Sequence, residues 1–481
     1  MNLCDAILQQ AAGQPERAAI IEDERCLSYR QLALHLSQWS AGLTGLDLKR
    51  GDRLGICLRD SMDFVLAMLG AAHAGITIVP IDWRAPTAEK HQLATAFDLH
   101  CLMTEPAAES HESIPTVAAD DVWRDSLTAQ PTDLTPVDAA QTPLILKLSS
   151  GTTGTPKGAI ASHADMAARL SRNLLVYGPM RDYRYLSVLP LCFSGGNNYV
   201  LFHLMSGSTV ILYPTMFSAD ELVAAVRDFS ADFLFAVPTV LRWLLEISDG
   251  EMLLPSLRVL TTGTAQLSNE EKARVLQQVT PRLYEVYSTS AAGQISYLTP
   301  ADMLEHADSV GRPNSQLEVQ IVDTAGEALG PDEIGRIRCR GPGVSALYYG
   351  NPDQSSFSER MADGWCYTGD LGRLDKAGYL HVEGRVDDLI IRGGINIQPA
   401  VVEAALMAYP GVREAAVKAR ASQALGQEVV AFVVARTDIQ PTELLAHCRN
   451  RLAPHELPAE IRLLESLPRT RSGKIQKSKL S

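Results

Sequence analysis

Residues 148–158 read Leu148-Ser149-Ser150-Gly151-Thr152-Thr153-Gly154-Thr155-Pro156-Lys157-Gly158, directly after the apolar run Leu144-Ile145-Leu146. This is a strand that feeds a loop of glycines and hydroxyls carrying one cation. Such a loop aims backbone N–H groups inward, and its hydroxyls and Lys157 add donors for anionic oxygens. The chemistry it suits is gripping a polyphosphate. It is not a Walker A loop, because Pro156 stands where a glycine should precede Lys157.

The rest of the chain must supply elements to position that loop. At 481 residues it is too long for one compact core, and its length fits two to four domains. Hydrophobic residues make up 46% and charged residues 21%, an ordinary globular balance. The net charge of −13 disfavours broad nucleic-acid binding, which needs clustered Lys and Arg. The eight cysteines form no CxxC pair, so zinc and redox motifs find no support, and free thiols in a reducing compartment are expected. No basic stretch followed by an apolar core opens the chain, and no run of about 18 apolar residues occurs, so a cytoplasmic protein without a membrane span is expected.

Strand and helix signals alternate over roughly the first 370 residues, which predicts an α/β fold of mostly parallel sheets covered by helices. Leu32, Leu36, Trp39 and Leu43 share one helical face behind a capping box of Ser28 and Gln31. A second box, Ser268 with Glu271, opens a helix over 269–278. Apolar runs at 54–58, 76–79, 209–213, 233–237 and 257–262 read as strands. The polar stretch 105–138 reads as an irregular connection. From about Gly335 the texture becomes β-rich, and a small α+β segment with a basic tail closes the chain.

Four more clusters accompany the loop. They are Tyr287-Ser288-Thr289-Ser290-Ala291-Ala292-Gly293; Tyr367-Thr368-Gly369-Asp370; Gly384-Arg385-Val386-Asp387-Asp388 running on to Gly393-Gly394, Asn396, Pro399 and Glu403; and Pro468-Arg469-Thr470-Arg471-Ser472-Gly473-Lys474-Ile475. In this order and spacing, over nearly the whole chain, the set resembles the adenylate-forming superfamily: acyl- and aryl-CoA synthetases, peptide-synthetase adenylation domains and luciferases. In type it is most similar to the acyl- and aryl-CoA ligases.

The resemblance implies a large adenylation domain over 1–386 and a small mobile domain over 387–481, hinged at Asp387. It implies that Ser149, Ser150, Gly151, Thr152, Thr153, Gly154 and Lys157 hold phosphate. Gly263, Thr264 and Ala265 would lie along adenine, with Tyr287 stacked on the other face and Ser288, Thr289 and Ser290 completing the nucleotide site. Asp370 and Arg385 would take the ribose. Lys474 and Ser290 would be the catalytic residues, and Gly393 and Gly394 would line a thiol tunnel. The implied reaction is ATP-dependent formation of an acyl-AMP, then transfer to a thiol, with ATP, Mg²⁺ and CoA as cofactors and co-substrate. The protein would act as a monomer or homodimer. Loading of a separate acyl carrier protein, or a degenerate binding module, are the alternatives.

Two departures from the family pattern bear on function. Ala291 stands where the family keeps a glutamate, so no protein carboxylate is expected on the metal and Mg²⁺ would be held by nucleotide and water. Phe193-Ser194 stands where amino-acid-activating domains carry Phe-Asp. Without that aspartate a buried α-ammonium would be uncompensated, which argues against ordinary amino acids. The acyl pocket is expected from Phe193, Asn197, Asn198, Val237, Gly263, Ser288 and Ile295, and its mixed character suits a small aryl, cyclic or short-to-medium acyl acid.

Overall fold

A computed structural model of the chain describes residues 2–106, 108, 110–130, 132–149, 157–345, 347–349, 361–436, 438–469 and 475–480. The chain divides into two compact units: residues 1–318 with 339–366, and residues 319–338 with 367–481.

The first unit contains two large sheets. One, among the described residues, runs in the order Arg312–Pro313, Gly293–Leu298, Leu283–Thr289, Val259–Gly263, Phe233–Phe235, Arg184–Ser187, Thr209–Leu212, Ala18–Glu22, Arg25–Ser28. Its middle pairs are parallel, and antiparallel strands close both edges. The other runs Leu347–Tyr349, Lys157–Ser162, Pro143–Ser149, Thr77–Pro80, Arg53–Cys57, Cys101–Thr104, Thr116–Ala118. It too is parallel except at the two pairs flanking the phosphate-loop motif. Parallel strands buried on both faces need helical cover, and the apolar helix Met62–Ala74 supplies part of it with every residue from Phe64 to Ala74 buried.

Local signals set several helix starts. Ser28 accepts from Gln31 N and Gln31 closes the box, opening Tyr29–Gly45; Ser268 and Glu271 do the same for Asn269–Gln278. Each cap contributes about 1 kcal/mol. The stretch 105–138 is more ordered than its composition suggests. Thr116–Ala118 adds a parallel strand, and Asp121–Thr128 is a helix capped by Asp120. Trp123 packs edge-on against Trp39 at 6.1 Å, so a tertiary contact holds a helix too short to show a period.

The second unit holds strand Trp365–Leu374 from Tyr367 onward and strand Leu380–Arg385 from the β-rich segment, then an α+β layer. There the long hairpin Val412–Ser422 with Gly426–Ala435 is backed by the helices Pro399–Met407 and Pro441–Arg449, and its core centres on Ile390, Val402, Leu406, Val417, Val429, Val433 and Leu444.

Candidate active site

In open α/β sheets, ligands collect where parallel strands end at their carboxyl sides. Arg184–Ser187, Phe233–Phe235, Val259–Gly263 and Leu283–Thr289 are successive neighbours in the larger sheet. Phe193, Val237, Gly263 to Ala265 and Tyr287 to Ser290 all follow or finish those strands. The topology therefore gathers the expected adenine-side and acyl-side residues along one sheet edge. Phe193 and Val237 are the residues just before two helices, Ser194–Ser206 and Pro238–Ile247. Ile295 lies on the adjoining antiparallel strand and is fully buried.

Gly263 pairs with Val286, and a Cβ at 263 would lie 2.6 Å from Val286 O. A side chain there would push the two strands apart. Thr264 follows with φ +73°, a left-handed backbone that a β-branched residue adopts at a cost of roughly 1–3 kcal/mol. Thr264 and Ala265 are exposed, leaving this segment open. On the neighbouring strand the register shifts between Tyr287 and Ser288, a bulge that re-aims the side chains after it. Glu285, two residues before Tyr287, is buried on Lys272 of helix Asn269–Gln278 at 2.5 Å, and the Lys272 ammonium also donates to Ala307 O at 2.6 Å. Burial pushes the Glu285 carboxyl up, opposed by the Lys272 charge.

The turn after Thr289 is held from behind by residues that the sequence reading did not single out. Arg169 and Arg172, on helix His163–Tyr177, are both fully buried. Arg169 donates to Ala291 O at 2.6 Å, Gly343 O at 2.9 Å and Ser345 Oγ at 3.0 Å; Arg172 donates to Ala292 O at 2.8 Å. Thr289 Oγ1 accepts from Ala292 N at 3.1 Å. Burial depresses the Arg172 guanidinium below its usual range. Cations thus line the back of the position where the family carries a carboxylate. Among the described residues no group of three or more His, Cys, Asp or Glu side chains could hold a metal ion. Ala291 is 3% exposed and brings no carboxylate to this turn.

The phosphate-loop residues Ser150 to Pro156, including Gly151, Thr152, Thr153 and Gly154, lie outside the described residues, as do the side chains of Ser149 and Lys157. The flanking strands pair antiparallel, with Ser149 opposite Lys157. One more residue from this strand reaches the helix that begins after Phe193. Lys147 is 3% exposed, and its ammonium donates to Asn198 Oδ1 on helix Ser194–Ser206. Asn197 uses its amide N–H groups on Leu191 O and Phe193 O, fixing the helix entry.

In the second unit Asp370 stands opposite Arg385 across two antiparallel strands, with Arg385 Nη1 3.2 Å from Asp370 Oδ1. Asp370 is 7% exposed, while Arg385 is more open and lies 3.8 Å from Asp387 as well. Asp387 sits in the short 3-10 turn Val386–Asp388. Gly393 and Gly394 make the two-residue turn between Ile390–Arg392 and Ile395–Ile397, with φ of +58° and +81°. Both central residues at positive φ define a type I′ hairpin turn, which selects glycine for its backbone. Space plays no part, since nothing lies within 4 Å of a Cβ at 394.

Lys474 lies outside the described residues, but its flanks are tied down. Arg469 bridges to Ile475 and contacts Glu414 at 2.8 Å, and Lys477 reaches Glu403 at 2.7 Å and Asp388 at 4.0 Å.

Comparison with known proteins agrees over the whole length. The AMP-binding enzyme family model matches residues 7–349, and the model of the AMP-binding enzyme C-terminal domain matches residues 401–474. The indoleacetate–CoA ligase of Aromatoleum aromaticum is 32% identical, with 99% of this chain and 97% of that protein covered. The 2-succinylbenzoate–CoA ligase of Bacillus velezensis is also 32% identical, with the same coverage of 99% and 97%. Among solved structures, the o-succinylbenzoate CoA synthetase of Bacillus subtilis, in complex with its acyl-adenylate intermediate, matches at a TM-score of 0.89 and 26% identity, covering 98% of this chain and 97% of that one. The same enzyme has been solved with ATP and magnesium ion. Among the described residues no helix is long and apolar enough to cross a membrane.

Proposed function

This chain belongs to the family of AMP-binding enzymes, and from that premise we propose that it activates an aryl carboxylic acid with ATP and passes the acyl group to the thiol of CoA. In the first half-reaction a carboxylate oxygen attacks the α-phosphorus, pyrophosphate leaves and an acyl-AMP forms. In the second the thiol sulfur attacks the acyl carbon, the thiol proton goes to solvent, and AMP departs. The observation that carries this reading is the run of strand ends that brings Phe193, Val237, Gly263 and Tyr287 to one sheet edge.

The residue roles follow chemistry. Gly263 to Ala265 offer an open backbone edge for a base, and Tyr287 a ring for its other face. Ser149 to Lys157 hold the phosphates. Asp370, an acceptor, suits ribose hydroxyls, with Arg385 fixing its orientation. Lys474 supplies the positive charge that stabilises the charge developing on phosphorus. Mg²⁺, when bound, neutralises phosphate oxygens and leans on nucleotide and water. We place the hinge at Asp387, between a domain of residues 1–386 and one of 387–481, because one loop residue can absorb a large dihedral change. Gly393 and Gly394 then serve the thiol half-reaction. An aryl acid is favoured by the apolar character of Phe193, Val237 and Ile295, and by the names of the relatives. CoA is favoured over a carrier protein on the second ground. The cytoplasm is where both ATP and CoA are supplied.

The test is ATP–pyrophosphate exchange over a panel of aryl and alkyl acids, followed by addition of CoA or a purified carrier protein to the adenylate. Exchange driven by aryl acids, with thioester formed on CoA, is expected. Exchange with no acid would leave a nucleotide-binding module and overturn the reading.

A further inference from the structure

Arg169 and Arg172 lie three residues apart on helix His163–Tyr177, so they share one face of it, and both are fully buried. Taking a guanidinium out of water is costly, and among the described residues Arg172 Nε and Nη1 find no hydrogen-bond partner to offset that cost. What the pair supplies in return is direction. A guanidinium is a planar fork of fixed donors, and it orients every acceptor it meets.

The acceptors belong to two different sheets. Ala291 O and Ala292 O, held by Arg169 and Arg172, lie in the turn between Leu283–Thr289 and Gly293–Leu298 of the larger sheet. That turn closes directly on the clamp: Gly293 has φ +67°, and a Cβ there would lie 2.9 Å from Arg169 Cδ. Gly343 O and Ser345 Oγ, held by Arg169, lead into Leu347–Tyr349. This short strand pairs with Lys157–Ser162 in the other sheet, Tyr349 opposite Gly158. Ser345 N also donates to Ala291 O at 2.8 Å, which fastens the two segments to each other. The helix that bears the arginines starts at His163, immediately after Lys157–Ser162. One side of the clamp therefore carries Tyr287 to Ser290. The other is tied, through a paired strand and through the helix, to the strand that returns from the phosphate-loop motif.

We propose that Arg169 and Arg172 are positioning residues that set the spacing between the base-side strand end and the phosphate-side strand, so that one nucleotide engages both. The proposal rests on the AMP-binding reading of those two sides. Neither arginine is a catalytic residue; each acts through the main chain or through Ser345. A ligand that spans both sides gains from their being fixed beforehand, whereas a ligand that uses one side alone does not.

The experiment measures dissociation constants by calorimetry on the full chain for ATP with Mg²⁺, adenosine, and pyrophosphate with Mg²⁺. The variants are Arg169→Lys, Arg172→Lys and Ser345→Ala. Lysine keeps the charge and loses the fork. Arg169→Lys should weaken ATP by about 10- to 100-fold, the worth of a hydrogen bond to a charged group, while adenosine and pyrophosphate each stay within about 3-fold of wild type. Arg172→Lys, with one carbonyl partner, should act in the same direction by a smaller factor. Ser345→Ala leaves both arginines in place and should weaken ATP by about 3-fold. Unchanged ATP affinity in a folded Arg169→Lys overturns the proposal. So does a loss shared equally by ATP, adenosine and pyrophosphate, which a merely structural role would give. Should Arg169→Lys fail to fold, Ser345→Ala decides, and ATP affinity equal to wild type there overturns the proposal. Wild type that binds neither ATP nor its two parts defeats the AMP-binding reading itself and is thereby distinguished.

Discussion

Lys147 and Lys272 are equally buried in the same unit, each 3% exposed, yet their surroundings are opposite. Lys272 has a carboxylate, Glu285, at 2.5 Å and two carbonyls, Ala307 O and Ser309 O. Its charge is answered within the fold, and the pair props the strand that carries Tyr287. Lys147 has one amide oxygen. Among the described residues the first arrangement includes a carboxylate, whereas the second shows none. Burial alone therefore does not tell how a lysine is accommodated; the inventory of acceptors does.

The comparison can be broken by substitution. Lys272→Ala leaves Glu285 charged and buried, and should destabilise the first unit by about 3–5 kcal/mol, lowering its thermal midpoint by several degrees. A Lys272→Met, Glu285→Leu double variant should recover most of the loss; no recovery would mean the pair is not what props the strand. Lys474→Ala offers a third lysine as a reference. It should cost about 3 kcal/mol in the adenylation barrier, on the order of 10² in rate, while sparing thioester formation from supplied acyl-AMP. If Lys147→Met slowed adenylation of every acid as Lys474→Ala does, Lys147 would be a catalytic group and the contrast with Lys272 would need redrawing.

A buried nitrogen with a different role sharpens the point. His163 Nδ1 accepts from Leu3 N at 3.0 Å, which requires the neutral ring. Burial, with Arg50 nearby, lowers its pKa from 6.5 to about 4. The folded form binds the proton less well than the unfolded chain, so stability is full above about pH 6.5 and is lost as pH falls toward 4. Thermal midpoints from pH 7 to 4 should show that decline, and His163→Asn, which keeps an acceptor without a titration, should flatten it. The smallest effect belongs to Lys147→Met. Its stability should stay within about 1 kcal/mol of wild type, or rise, because an unpaired amine is replaced by an apolar chain of similar length. A loss comparable to that of Lys272→Ala would place Lys147 among the structural residues.

These contrasts also mark the limit of what the chain reveals before it is folded. Caps at Ser28 and Ser268 are contacts three residues apart, and they were legible as such. So were the strands, whose apolar runs are local, and the motifs that point to an AMP-binding enzyme. The helix Asp121–Thr128 was not, because its Trp123 finds Trp39 only in the fold. The arginine clamp behind Ala291 joins residues more than a hundred positions apart, through carbonyl groups that every residue possesses. No side-chain pattern announces such a contact. Lys147 did leave a trace, a charge inside an apolar strand, but its partner Asn198 lies 51 positions away and shows only in the fold. For Gly393 and Gly394, the sequence reading placed them beside a thiol arm, and the hairpin turn supplies a sufficient backbone reason for both.

Among the described non-glycine residues with a left-handed backbone, Thr264 alone is β-branched. Selection for heat tolerance alone would therefore be drawn to Thr264→Gly, where relief of the strain offers about 1 kcal/mol or more. Any laboratory evolution of a hardier catalyst should hold that codon fixed if this segment is the base edge proposed above, since a relaxed loop would hold that edge in no single pose.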